Sequence, residues 1–178
     1  MTTLSVQIHK AAHKVYRRNR PTADYSMRAA NLLKMTAAHE SAQFRHRRQI
    51  GFSPYSTRGA FSLFQLEWIS ISSSLDYLDR RPLLRKHALD YLSEYGFDET
   101  ILNSRAKPAI LNVLQQPAGD PLGAMFARVH YLQRPGKIPA TPEGMADYAK
   151  QHYNTSAGKA TPEDYLKAYR AIIRSERA

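Results

Sequence analysis

The stretch Leu33-Lys34-Met35-Thr36-Ala37-Ala38-His39-Glu40-Ser41-Ala42-Gln43-Phe44 decides how this chain reads. Leu33, Ala37, Glu40 and Phe44 follow one another at steps of four, three and four, which places them on one face of a helix with about 3.6 residues per turn. Met27 and Ala30 prolong the same stripe, so an amphipathic helix is expected from about Ala23 to Arg45 with that face buried. Glu40 is the exception within the stripe. Burial disfavours the charged form of a carboxylate and raises its pKa, which suits such a group to donate a proton near neutral pH. The alternative is an edge position where Glu40 pairs with an arginine such as Arg28 or Arg47, and periodicity does not choose between the two.

On either side, proline and glycine cut the chain into helix-sized pieces without internal repeats. A first helix is expected from about Leu4 to Arg18, ending before Arg20-Pro21 because a residue that precedes proline disfavours helical geometry. Gly51 to Leu66 carries Gly51, Ser53, Ser56, Gly59 and Ser62 among aromatics and reads as an ordered loop with at most a small hairpin. Helices are then expected over Trp68 to Leu78 and Leu83 to Tyr95, with Gly96 as a stop, and within Asp98 to Gln116. Leu122, Met125, Phe126, Val129 and Leu132 define a further amphipathic helix, closed by Arg134-Pro135-Gly136. Two more open at Thr141-Pro142-Glu143 and Thr161-Pro162-Glu163-Asp164, each with threonine as N-cap and proline in the first turn. Asp164 there forms an approximate capping box, and Tyr165, Leu166, Tyr169, Ile172 and Ile173 form a buried face read as core.

A chain of 178 residues can bury a full core without staples. It has no cysteine, which excludes disulfides, thiolate metal sites and a cysteine nucleophile. No stretch approaches the length of a membrane span, and the first ten residues lack the apolar run of a secretory signal, so another route to any extracellular target is expected. Lys and Arg number 26 against 15 Asp and Glu, a net charge of +11, with the excess concentrated before Gln49. That asymmetry suits a polyanionic partner, either nucleic acid or an anionic cell wall.

His39-Glu40-Ser41-Ala42-Gln43-Phe44, then Gly59-Ala60-Phe61-Ser62-Leu63-Phe64-Gln65, then Tyr153-Asn154 resemble, in that order, the three motifs of the soluble lytic transglycosylases, a family with a lysozyme-like fold. The resemblance covers roughly Met35 to Gln65 and Tyr148 to Asn154. Phe44-Arg45-His46-Arg47-Arg48-Gln49 and Tyr153-Asn154-Thr155, with Gly158-Lys159-Ala160-Thr161, add a likeness to phage-encoded variants. The resemblance implies cleavage of peptidoglycan glycan strands with Glu40 as the single general acid and base. The muramoyl 6-hydroxyl then attacks and leaves a 1,6-anhydro product, with no metal or cofactor. By the same resemblance Ser41 would support Glu40, Phe64 and Gln65 would line the sugar groove, Tyr153 would reach Glu40 by a hydrogen bond, and Asn154 would hold groove or substrate.

Ser62 and Phe64 depart from the family's glycine and methionine, and a serine side chain at the first is expected to narrow the groove. Most glycosidases use two carboxylates, and Glu67 is the candidate second one, although the start of the following helix also favours a negative charge there. Other signals carry less. His39-Glu40 lacks the second histidine of a zinc-protease motif because Gln43 stands there, and His9 with His13 has no third ligand. Ser72-Ser73-Ser74 has no nucleophile-elbow context.

The expectation is therefore an all-α, lysozyme-like single domain over residues 1–178, with a basic helix of about residues 1–20 as an extension. It would act on peptidoglycan as a phage virion component or lysis factor, residing in the virion or host cytoplasm before release, alone or with other virion proteins. The rival expectation is a noncatalytic virion or nucleic-acid-binding protein on the same fold, although no recognised nucleic-acid motif is present.

Overall fold

Threonine caps and first-turn prolines set where the helices begin. In the computed structural model, which describes residues 3–17, 20–53, 55–154 and 159–177, Thr22 accepts from the Tyr25 backbone N–H and Thr141 from that of Gly144. Thr161 and Asp164 complete the capping box: Thr161 Oγ1 accepts from Asp164 N, while Asp164 Oδ2 accepts from Thr161 N at 2.8 Å. The helices are α1 (Thr3–Lys14), α2 (Ala23–Glu40), α3 (Trp68–Asp79), α4 (Pro82–Ser93), α5 (Thr100–Asn103), α6 (Lys107–Leu114), α7 (Asp120–Leu132), α8 (Pro142–His152) and α9 (Pro162–Arg177). A two-stranded antiparallel hairpin, β1 (Ala60–Phe61) and β2 (Leu66–Glu67), interrupts them. The fold is thus all-helical apart from that hairpin. Among the described residues no helix is long and apolar enough to cross a membrane.

Helix α2 lies at the centre, with α1, α7, α8 and α9 packed around it. Every residue from Leu32 to Ala38 is buried, so the helix has no solvent stripe over that turn and the expected single face is too narrow. Met27, expected on the buried stripe, is instead 51% exposed, and Ser26, Ala29 and Ala30 face inward. Lys34, buried by the same packing, pairs with Glu176 of α9 at 2.9 Å.

Three boundaries differ from expectation. Helix α2 stops at Glu40 rather than Arg45, because Ala42, Gln43 and Phe44 take left-handed φ values of 50°, 62° and 66° and turn the chain away. The buried Ser41 fixes that reversal: its Oγ donates to the Ala37 carbonyl at 2.5 Å and accepts from Phe44 N at 2.8 Å. The span Asp98 to Gln116 breaks into α5 and α6 at Arg105, another left-handed residue, just ahead of Pro108. Helix α1 ends at Lys14; Arg18, its expected end, lies outside the described residues, as do Thr155 and Gly158. Nor does α1 stand apart as an extension. Ile8, Ala11, Ala12 and Val15 are fully buried against α2, α4 and α7, so this helix belongs to the core.

Candidate active site

Glu40 is the last residue of α2, where the chain reversal leaves its partly buried side chain at one wall of a cleft of about 490 Å³. Gln65 and Glu67 from the hairpin, and Tyr153 and Asn154 after α8, line the same cleft. Residues 25 and more than 100 positions apart are brought together because α8 packs on α2 while the hairpin follows the reversal after Glu40. Ser41 and Phe64 are not in the wall. Ser41 is fully buried in the reversal and supports Glu40 only through the backbone, and Phe64 is buried in the core, contributing its carbonyl alone.

The tyrosine that reaches Glu40 is Tyr165, not Tyr153. Tyr165 Oη, from the first turns of α9, donates to Glu40 Oε1 at 2.5 Å, and the Asn154 side chain hydrogen-bonds the same hydroxyl. Tyr153 Oη instead donates to the Phe64 carbonyl at 2.6 Å, pinning the hairpin turn to the end of α8. The reading of Tyr165 as core was right about its burial and missed its hydroxyl. A buried tyrosine needs a polar partner, and that requirement is the signal that could have singled it out. His39 stacks on the Tyr165 ring, 3.9 Å between centroids, and holds it in place.

Burial pushes the Glu40 carboxyl above the usual carboxylate range, and the Tyr165 hydrogen bond opposes this in part. The two arginines that could have paired with Glu40 are engaged elsewhere. Arg28 binds Asp24 one turn earlier, and Arg47 forms a two-pronged contact with Asp120, both bonds at 2.8 Å. Among the described residues no cation lies within ion-pair distance of Glu40. Its position at the carbonyl end of α2 also disfavours negative charge. The carboxyl can therefore hold a proton that an exposed glutamate would lose.

Gln65 is held rigidly. It sits in the turn between β1 and β2 at φ 46°, and its Nε2 donates to the Ser62 carbonyl at 2.9 Å. Gly59 begins this segment at φ 86°, where a Cβ would come within 3.0 Å of Gln49 Oε1 and the Phe52 ring. Ser62 does not narrow the cleft, contrary to expectation. Its side chain is fully buried, turned towards Gly123 of α7, where an added Cβ would meet Ser62 Cβ at 2.9 Å.

Glu67 is exposed, lines the cleft and occupies the N-cap of α3 without a side-chain capping bond. A second cavity of about 550 Å³ adjoins the first, sharing Gln49, Glu67 and Ile69 with it and adding Phe52 and Trp68. His130 lines the first as well and was missed by sequence reasoning; burial lowers its pKa to about 4, leaving it neutral. Among the described residues no three His, Asp or Glu side chains are grouped to hold a metal ion. The chain matches no protein-family model, and no curated protein or solved structure is detectably similar to it.

Proposed function

We infer that the chain is a lysozyme-like enzyme that cleaves peptidoglycan glycan strands as a lytic transglycosylase, with Glu40 as general acid and base. The observation that carries this reading is a carboxyl with raised pKa, unpaired with any cation among the described residues and gripped by Tyr165 in the wall of an open groove. A polymeric substrate is supported by the adjoining cavity, where Phe52 and Trp68 offer flat apolar faces of the kind sugar rings pack against. Protonated Glu40 would give its proton to the glycosidic oxygen as the bond to C1 breaks. The resulting carboxylate would then take the proton of the muramoyl 6-hydroxyl as that oxygen bonds to C1, closing the 1,6-anhydro ring. One carboxyl serves both steps, so atoms and charge balance without a cofactor. Tyr165 is a positioning residue here and fixes which Glu40 oxygen faces the sugar.

Glu67 supports a second reading, hydrolysis, because it borders the same groove and could activate a water molecule. Incubation with peptidoglycan followed by mass analysis of the soluble muropeptides separates the two: anhydro ends weigh one water less than hydrolysed ends. Folded protein that releases no product from several wall types would remove the enzyme reading altogether. The role as a phage virion component or lysis factor rests on the sequence resemblance, and glycan cleavage by intact particles carrying the chain is its test.

A further inference from the structure

A separate cavity of about 930 Å³ shares no lining residue with the groove around Glu40. Five guanidinium groups line it, those of Arg17, Arg20, Arg81, Arg128 and Arg134, and no aspartate or glutamate among the described residues does. Arg128 at its inner wall is 1% exposed. Its Nε donates to the Val15 carbonyl at 3.2 Å, and its guanidinium lies 5.3 Å from the centre of the Tyr25 ring and hydrogen-bonds the Tyr25 side chain. Its Nη2 has no hydrogen-bond partner, and no carboxylate among the described residues pairs with it. Arg134 Nε is likewise buried and without a partner, while its Nη2 lies 3.0 Å from His130 Nε2.

A guanidinium does not shed its proton to escape burial, so Arg128 remains a cation without a counter-charge. Buried charges are normally paired, and breaking such a pair is strongly destabilising. Four further cations around the same space deepen the deficit. An anion in the cavity would remove it, and a planar fork of N–H donors fits phosphate oxygens two at a time. The cavity is far larger than a bare phosphate needs and falls within the range of small-molecule sites, roughly 300 to 1,000 Å³. Its remaining walls include the partly exposed rings of Tyr16 and Tyr25, and aromatic faces interleaved with arginine are a platform for nucleobases.

We propose that this cavity binds a nucleotide unit, free or within a single strand, with the phosphate at Arg128 and Arg134 and the base against Tyr16 and Tyr25. A duplex would meet only the rim arginines, because Arg128 lies below the surface.

The test uses the full chain with adenosine monophosphate, inorganic phosphate, a fluorescent twelve-residue oligothymidine and a duplex of equal length, at low and moderate salt. The monophosphate should bind at least ten-fold more tightly than inorganic phosphate and displace the oligothymidine. The oligothymidine should bind less tightly as salt rises. Arg128→Met should weaken the monophosphate at least ten-fold with an unchanged or higher melting temperature, which a merely structural arginine would not allow. Arg20→Ala and Arg81→Ala should each weaken the oligothymidine several-fold, and they decide the matter if the Met variant does not fold. Failure of both nucleotide probes to bind overturns the proposal. So does inorganic phosphate binding as tightly as the monophosphate, which would mark an adventitious ion only. Duplex binding as tight as single-strand binding, undiminished in Arg128→Met or in both rim variants, would reduce the effect to surface charge. This inference does not depend on cleavage of glycans.

Discussion

Glu40 at the end of α2 and Arg128 in the middle of α7 are both withdrawn from solvent with no opposite charge paired to them among the described residues, unlike the buried Lys34 and Asp120, and the structure treats them oppositely. Glu40 receives a hydroxyl from Tyr165 and faces an open groove. Arg128 is left with a free Nη2 in a cavity lined by more positive charge. The difference follows from the chemistry of the two groups. A carboxyl can answer desolvation by taking up a proton, which makes it an acid in waiting; a guanidinium cannot lose one, so its deficit is met only by a negative partner.

The largest effect is expected of Glu40→Gln, which removes the proton and keeps the shape. Turnover on peptidoglycan should fall by roughly 100- to 10,000-fold, the contribution of general acid catalysis, with binding retained. An assay at pH 7 in which the variant lyses walls at the parental rate defeats the assignment.

Stability against pH sharpens the contrast. The folded Glu40 carboxyl has its pKa raised, so the folded state binds the proton more tightly than the unfolded state. Stability from this group is full below the unfolded pKa and is lost as pH rises through the folded one. Glu40→Gln should therefore gain stability over the parent at neutral pH and lose that gain on acidification. Arg128→Met should be at least as stable as the parent at all pH values between 4 and 9, because it removes a buried charge that no opposite charge balances. Thermal unfolding of both variants across that range checks it, and a gain for Arg128→Met that vanishes on acidification would break the distinction.

A smaller effect is expected for Tyr165→Phe. Its hydrogen bond holds the Glu40 pKa down, so its removal should raise that pKa and move the alkaline limb of the pH–rate profile to higher pH. A loss of about ten-fold in rate, in line with one buried hydrogen bond, should accompany the shift. A fall in rate with an unmoved profile would make Tyr165 purely structural.

His130 offers a test in the acid range. Its pKa is lowered by burial from 6.5 to about 4, so the stability it contributes is present above 6.5 and is lost as pH falls through 4. His130→Asn should flatten the acid limb of the stability curve between those values, measured by urea unfolding. Least is expected of Glu67→Gln, below ten-fold in rate and with an unchanged anhydro product; loss of a hydrolysed product would assign it the base.

Much of this arrangement is legible in the sequence because local rules decide it. The caps at Thr141 and Thr161 form as their residue types dictate, and Glu40 stands out because a carboxylate interrupts an apolar period. The end of α2 is not legible in the same way. Ala42, Gln43 and Phe44 are ordinary helix residues, and tertiary packing with the Ser41 bonds forces them into a conformation their own preferences oppose. Tyr165 escaped because periodicity reports which face is buried and says nothing of a hydroxyl at its tip. The arginine cavity is hidden for a further reason: Arg17, Arg20, Arg81, Arg128 and Arg134 converge from separate segments, and a net charge of +11 does not reveal which cations meet.

The left-handed reversal after Glu40 bears on how the gene can vary. Ala42 and Gln43 are exposed, and exposed positions ordinarily accept almost any residue. Here the backbone vetoes what solvent would permit. A valine, isoleucine or threonine at either position would clash with its own main chain, whereas glycine or asparagine would settle there more comfortably than the present residues. The permitted alphabet at these two surface sites is thus narrower than in much of the interior. Drift there is one-sided, towards glycine and asparagine, and a lineage that kept Glu40 but acquired a branched residue next to it would have had to rebuild the turn.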